Sequence, residues 1–123
     1  EVDGFFLVVP EYNHSFPATL KRMLDSEGDF SHYIHKPVAM AGVSAGPWGG
    51  VRAIESLVNV VRELGMAVTF KDVNFAKVKA VFDENGDIQD ENYERRVKAA
   101  YQELIWMAEV LRYGRENITK EEL

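Results

Sequence analysis

Phe5-Phe6-Leu7-Val8-Val9-Pro10-Glu11-Tyr12-Asn13-His14-Ser15 is the stretch from which the fold can be read. Its first half is an unbroken apolar run. It does not alternate, so it reads as a strand covered on both faces, as in a parallel sheet. Its second half is a polar loop. Ser15 is placed to cap a following helix, with Pro17 tolerated in the first turn. Leu20, Met23 and Leu24 give that helix an apolar stripe, and it should stop between Asp25 and Gly28.

The same order recurs downstream. After an irregular segment from Asp29 to Lys36, Val38-Ala39-Met40-Ala41-Gly42-Val43 reads as a second buried strand. Ser44-Ala45-Gly46-Pro47-Trp48-Gly49-Gly50 is a glycine-rich loop. Val51, Ile54, Leu57, Val58, Val61 and Leu64 then share one helical face, and Gly65 suits the left-handed position beyond that helix. Met66 to Val73 is expected to be a third strand, with Ala67, Val68 and Phe70 in the core. Asn85-Gly86 marks a tight turn. Asp90 can cap a last helix, whose buried face would carry Val97, Tyr101, Leu104, Met107, Ala108 and Leu111. Residues 113–123 form a polar tail expected to fray.

Helices between apolar strands imply right-handed parallel crossovers and a doubly wound α/β sheet. Three strands leave the most apolar one, Phe5 to Val9, at an edge, where a central place is expected. Flanking strands supplied before Glu1 would resolve this. Two further strand–helix units would need roughly 60–80 residues, at about 30 each. The absence of an initiator Met agrees with a start inside a longer polypeptide.

Composition narrows the function classes. The 123 residues are 46% hydrophobic and 28% charged, as expected for one globular domain. A net charge of −6 argues against non-specific binding to nucleic acid. The lack of cysteine excludes disulfides, thiolate catalysis and Cys-ligated metals, and is compatible with a cytoplasmic location. No apolar run is long enough to span a bilayer as a helix.

Open α/β sheets bind ligands outside the carboxyl ends of their strands. Two loops leave strands at that end, Pro10 to Ser15 and Ser44 to Gly50, and adjacent parallel strands would set them side by side. Gly46, Gly49 and Gly50 lack side chains, so backbone amides there could approach a flat ligand. Asn13, Ser15 and Ser44 add polar groups. Neither loop holds a strong nucleophile–base pair or a metal cluster. Such a site suits a cofactor that brings its own reactivity, such as a flavin. His32 and His35 lack a carboxylate partner and make a poor metal site. Hydride transfer does not demand acid–base catalysis by His14. Trp48 reads equally as a stacking residue or as an interface residue. Tyr12 reads as a wall or interface residue.

Pro10-Glu11-Tyr12-Asn13-His14-Ser15, followed by Pro17 and Leu20-Lys21, resembles the P-E-Y-N-x-S-x-P-x-x-L-K signature of the NADPH-dependent FMN reductase family, which includes quinone, azo-dye and chromate reductases. Leu24-Asp25 and Lys36-Pro37 extend the likeness. Ser44-Ala45-Gly46-Pro47-Trp48-Gly49-Gly50 resembles the family's second flavin loop, S-x-G-x-x-G-G. The resemblance runs to about Arg112 and implies a flavodoxin-like sheet of order 2-1-3-4-5. Residues 1–112 would supply strands 3, 4 and 5 as the C-terminal portion of a single FMN-binding domain. It further implies FMN held by Pro10, Glu11, Tyr12, Asn13, His14 and Ser15 and by Ser44, Ala45, Gly46, Trp48, Gly49 and Gly50. NADPH would be the hydride donor, a flavin, quinone or similar small molecule the acceptor, and a homodimer or homotetramer the assembly. The family's phosphate loop follows its first strand and would precede Glu1. A non-enzymatic flavodoxin-like electron carrier, or a flavin-binding sensor or assembly module, fits the same residues.

Overall fold

A computed structural model describes residues 2–26 and 28–118. The order of elements is β1 (Phe5–Pro10), α1 (Ala18–Ser26), a 3-10 turn (Phe30–His32), β2 (Pro37–Val43), α2 (Val51–Glu63), β3 (Ala67–Val68), β4 (Val73–Phe75), α3 (Val78–Val81) and α4 (Glu91–Asn117). β2 is the middle strand. β1 runs parallel to it along one flank, with Phe5 opposite Val38 and Pro10 opposite Val43. β3 and β4 pair in succession along the other flank, also in parallel.

β2 is apolar throughout because it is covered on both sides. On one face Val38 and Met40 pack with Leu24 of α1 and with Ile54, Leu57 and Val61 of α2. On the other, Ala41 packs with Val73, Phe75 and Ala100. Ile54, Leu57 and Val61 of the α2 stripe are buried as their spacing predicts, whereas Val51 at its start is exposed, and Gly65 stands beyond the helix at φ 84°. Asp90 caps α4 by accepting from the Asn92 amide at 2.9 Å. The Asn85-Gly86 turn closes with Phe82 bridged to Ile88.

Four expectations need correction. The third strand is interrupted: β3 ends at Val68, β4 begins at Val73, and Phe70 is 91% exposed rather than in the core. The excursion is held by Glu103 of α4, whose carboxylate accepts from the Phe70 amide at 2.8 Å and the Lys71 amide at 3.2 Å. Those amides are thus withdrawn from the sheet ladder. Ser15 does not cap α1. It exchanges backbone hydrogen bonds with Tyr12, and α1 starts at Ala18 with the Pro17 carbonyl accepting from Leu20 and Lys21. Met23 and Tyr101 are exposed, although Tyr101 stacks on Phe6 with ring centroids 4.5 Å apart. Finally, α4 continues to Asn117 instead of fraying from Tyr113. Arg115 anchors that turn, pairing with Asp3 at 2.5 Å and donating to the His35 carbonyl at 2.7 Å. Residues 119–123 of the expected tail lie outside the described residues. Among those described, β1 pairs with β2 alone, and Val8 is 63% exposed.

Burial, followed by the charges of Glu55 and Glu103, raises the Asp72 carboxyl above its ordinary value. One of its oxygens, Oδ1, is buried without a hydrogen-bond partner among the described residues. The folded state therefore holds this proton more tightly than the unfolded chain. The group's contribution to stability is full at low pH and is lost as pH rises through the raised value. Asp72→Asn removes the buried charge. Thermal melts should show it more stable by a few degrees at pH 7, with the gain vanishing below about pH 3, where the carboxyl is protonated in both states.

Candidate functional site

Tyr12 and Ser15 bond to each other through both backbone pairs, Tyr12 N to Ser15 O at 2.9 Å and Ser15 N to Tyr12 O at 3.1 Å. Between them Asn13 and His14 have φ of 49° and 73°. This is the pattern of a two-residue turn with both central residues left-handed, where Asn is favoured. The loop that looks irregular in sequence is thus a closed, tight turn at the end of β1.

The second loop is built on backbone contact. Gly49 and Gly50 have φ of 60° and 72° and are buried. The turn they make presses onto β2 so closely that a Cβ on Gly42 would stand 2.3 Å from the Gly49 carbonyl oxygen. A Cβ on Gly49 would meet Asn74 at 2.8 Å, and one on Gly50 would meet the Val43 nitrogen at 2.8 Å. These glycines let the turn pack directly against strand ends. Gly46 differs, because a Cβ there would meet no protein atom within 4 Å. Ser44 organises the loop from inside: its hydroxyl donates to the Gly46 carbonyl and accepts from the Gly49 amide, both at 2.9 Å. The Lys77 amide donates to the Gly46 carbonyl at 2.8 Å, and Asn74 Nδ2 donates to the Gly49 carbonyl at 3.3 Å. Ala45 and Gly46 keep their own amides without a protein acceptor among the described residues.

The two loops meet. The Glu11 amide donates to the Val43 carbonyl at 3.3 Å. Arg52, in the first turn of α2, pairs through Nη2 with Glu11 Oε1 at 2.5 Å, and its Nη1 stands 3.2 Å from His14 Nδ1. The Glu11 side chain is only 8% exposed, so this pair is shielded from water on the carboxylate side. Pro10, Glu11, Tyr12, Val43, Ser44, Ala45, Gly46, Trp48 and Arg52 line one cleft of about 430 Å³. Tyr12 and Trp48, one from each loop, are 62% and 64% exposed. A second cleft of about 400 Å³ adjoins it between β1 and α1, walled by Val8, Leu20 and Met23. A larger one of about 620 Å³ lies between α1 and the C-terminal half of α2, toward the amino ends of the strands; its Lys21 and Asp25 pair with each other.

Of the twelve residues singled out from sequence, Pro10, Glu11, Tyr12, Ser44, Ala45, Gly46 and Trp48 line the 430 Å³ cleft. Asn13, His14 and Ser15 complete the first turn beside it, and Gly49 and Gly50 form the buried floor of the second. Sequence reasoning missed Arg52, Asn74 and Lys77. Arg52 carried a readable signal: a cation in the first turn of a helix opposes the helix dipole, so it implies a tertiary partner. Among the described residues, no group of three or more His, Cys, Asp or Glu is placed to hold a metal ion, and no helix is long and apolar enough to cross a membrane.

Residues 1–80 match the family described as NADPH-dependent FMN reductase. The chain belongs to that family. It is 42% identical over 55 residues to an NADPH azoreductase of Bacillus sp. (strain OY1-2), covering 45% of this chain and 30% of that protein. It is 27% identical over 115 residues to the NADH:(hydroxy)cinnamate reductase subunit CrdA of Vibrio ruber, covering 90% of this chain and 57% of that one. The chain thus spans little more than half of the longer match and under a third of the other. The fold superposes on FerB, a flavoenzyme NAD(P)H:(acceptor) oxidoreductase of Paracoccus denitrificans, with a TM-score of 0.74 at 21% identity, over 87% of this chain and 62% of FerB. The flavodoxin-like arrangement of this reductase-family chain is therefore a finding of fold.

The close contact at Gly42 yields a direct test. Gly42→Ala forces apart the end of β2 and the 49–50 turn, at a cost of about 1–3 kcal/mol. Thermal unfolding should come several degrees earlier, and a melt unchanged from the parent would contradict the contact.

Proposed function

We propose that this chain forms the flavin-ring side of an NAD(P)H-dependent FMN oxidoreductase, and that the cleft between the Pro10–Ser15 and Ser44–Gly50 turns receives the ring. The observation that carries the proposal is the union of the two turns in one cleft at the carboxyl ends of β1 and β2. Ligands of open α/β sheets bind at that place.

The residues suit a flat, polar-edged ring. The space over Gly46 is open to close approach. The free amides of Ala45 and Gly46 would donate to acceptors on the ring's edge. Tyr12 and Trp48 offer apolar walls from opposite loops, and Val43 and Pro10 an apolar base. FMN, when bound, supplies the two-electron redox chemistry. The chain supplies position, exclusion of water on the covered side and a fixed electrostatic setting. In that setting Glu11 neutralises Arg52, so the cleft has both charges present and largely cancelled. Neither Glu11 nor His14 stands apart from Arg52 as an isolated proton carrier, which accords with a transfer of hydride rather than of protons.

NADPH is the proposed donor and a flavin, quinone or similar flat molecule the proposed acceptor. A cytoplasmic homodimer or homotetramer is the proposed assembly. Trp106, Val110 and Tyr113 on the outer face of α4 offer apolar surface for it.

Gly46→Val tests the reading, because the added side chain enters open space and should leave the melting temperature within about a degree. Fluorescence titration should show FMN affinity reduced by about tenfold or more, with NADPH oxidation falling in step. Unchanged FMN affinity would remove the cleft from the proposal. Tight FMN binding by the parent protein without NADPH oxidation would instead favour an electron carrier.

A further inference from the structure

Arg52 touches the first turn at two points, and the chemistry of the second is informative. A guanidinium only donates hydrogen bonds. His14 Nδ1, 3.2 Å from Arg52 Nη1, must therefore accept, which places the ring proton on Nε2. An imidazolium has two donors and no acceptor, so this contact exists only with neutral His14. The charged groups gathered at the ring are Arg52 of α2 and, through it, Glu11 of the loop.

The backbone of the turn needs such a hold. His14 at φ 73° and Asn13 at φ 49° occupy the left-handed region, which side chains enter at a cost and which persists only when surrounding contacts enforce it. The Tyr12–Ser15 bonds close the turn on itself but do not attach it to the rest of the fold. Attachment comes from the Glu11 amide on β2 and from the guanidinium fork. That fork is a close fit with unused capacity: Glu11 Oε2 and Arg52 Nε are both buried without a partner among the described residues.

We infer that Arg52 is a positioning residue that fixes the Tyr12–Ser15 turn against α2 by binding Glu11 and the Nε2-protonated tautomer of His14 together. Only its consequence for the cofactor, that this turn is one wall of the flavin cleft, rests on the function proposed above. An ammonium is a point charge and cannot span both partners, so lysine at this position keeps the ion pair and loses the imidazole. Asparagine at position 14 tolerates the left-handed backbone and retains an acceptor that does not titrate.

Three readouts on the full polypeptide test this. Side-chain 15N spectra should show the Nε2–H tautomer of His14 in the parent and a mixture in Arg52→Lys. Amide exchange at Tyr12 and Ser15, corrected for intrinsic rates, should accelerate about tenfold in Arg52→Lys. In His14→Asn, which keeps an acceptor for Arg52, it should stay near the parent rate. FMN affinity should follow the exchange rates. Parent-like tautomer and exchange in Arg52→Lys, or exchange in His14→Asn as fast as in Arg52→Lys, would overturn the positioning role. Exchange and tautomer changes as expected, with no FMN bound by any variant, would uphold the tether and refute the flavin reading instead.

Discussion

A single backbone contact governs the upper end of this molecule: the Gly49 carbonyl oxygen sits where any side chain on Gly42 would begin. The turn that starts α2 lies flat against the last residues of β2, with Gly50 set on the Gly42–Val43 backbone and Gly49 on Asn74. Three consequences follow. The start of α2 is drawn down beside β1, which brings Arg52 within reach of Glu11 and His14. The Ser44–Trp48 segment is pushed outward, where the Ser44 hydroxyl and the Lys77 amide both hold the Gly46 carbonyl, and the Ala45 and Gly46 amides have no protein acceptor among the described residues. And the cleft between the two turns stays narrow enough for residues from both strands to line it together.

The glycines thereby divide into two kinds. Gly42, Gly49 and Gly50 are required by packing and backbone conformation, and their loss is expected to be felt in stability. Gly46 has open space around it, and its loss is expected to be felt by whatever enters the cleft. Sequence alone assigns all the loop glycines to the ligand, because a glycine that admits a neighbouring strand and one that admits a cofactor are written with the same letter.

Much of the fold could be read from periodicity. The runs at Phe5–Val9 and Val38–Val43 are strands, and the spacing of Ile54, Leu57 and Val61 identifies α2, because burial against a sheet imposes those patterns directly. The third strand could not be read in full. Its break between Val68 and Val73 depends on Glu103, more than thirty residues later, capturing two amides, and local pattern carries no trace of so distant a partner. The length of α4 was hidden for the same reason: a polar C-terminal turn reads as loose until Arg115 is seen joined to Asp3 and His35. In the candidate site the two loops were legible as loops, and their adjacency followed from parallel neighbouring strands. Their shapes were not: Ser15 reads as a helix cap and is instead half of a closed turn. Arg52 has no part in the loop motifs and so was not singled out, though its place at the positive end of α2 was a clue.

Flavin binding at this cleft requires the two turns to act as one surface. The most direct measurement is a titration of the full 15N-labelled polypeptide with FMN, following backbone amide shifts. The structure leads one to expect concerted, saturable shifts at Tyr12–Ser15 and at Ser44–Gly50, with the largest at Ala45 and Gly46. Shifts confined to the larger cleft beside Lys21 and Glu63, or to one turn without the other, would contradict it.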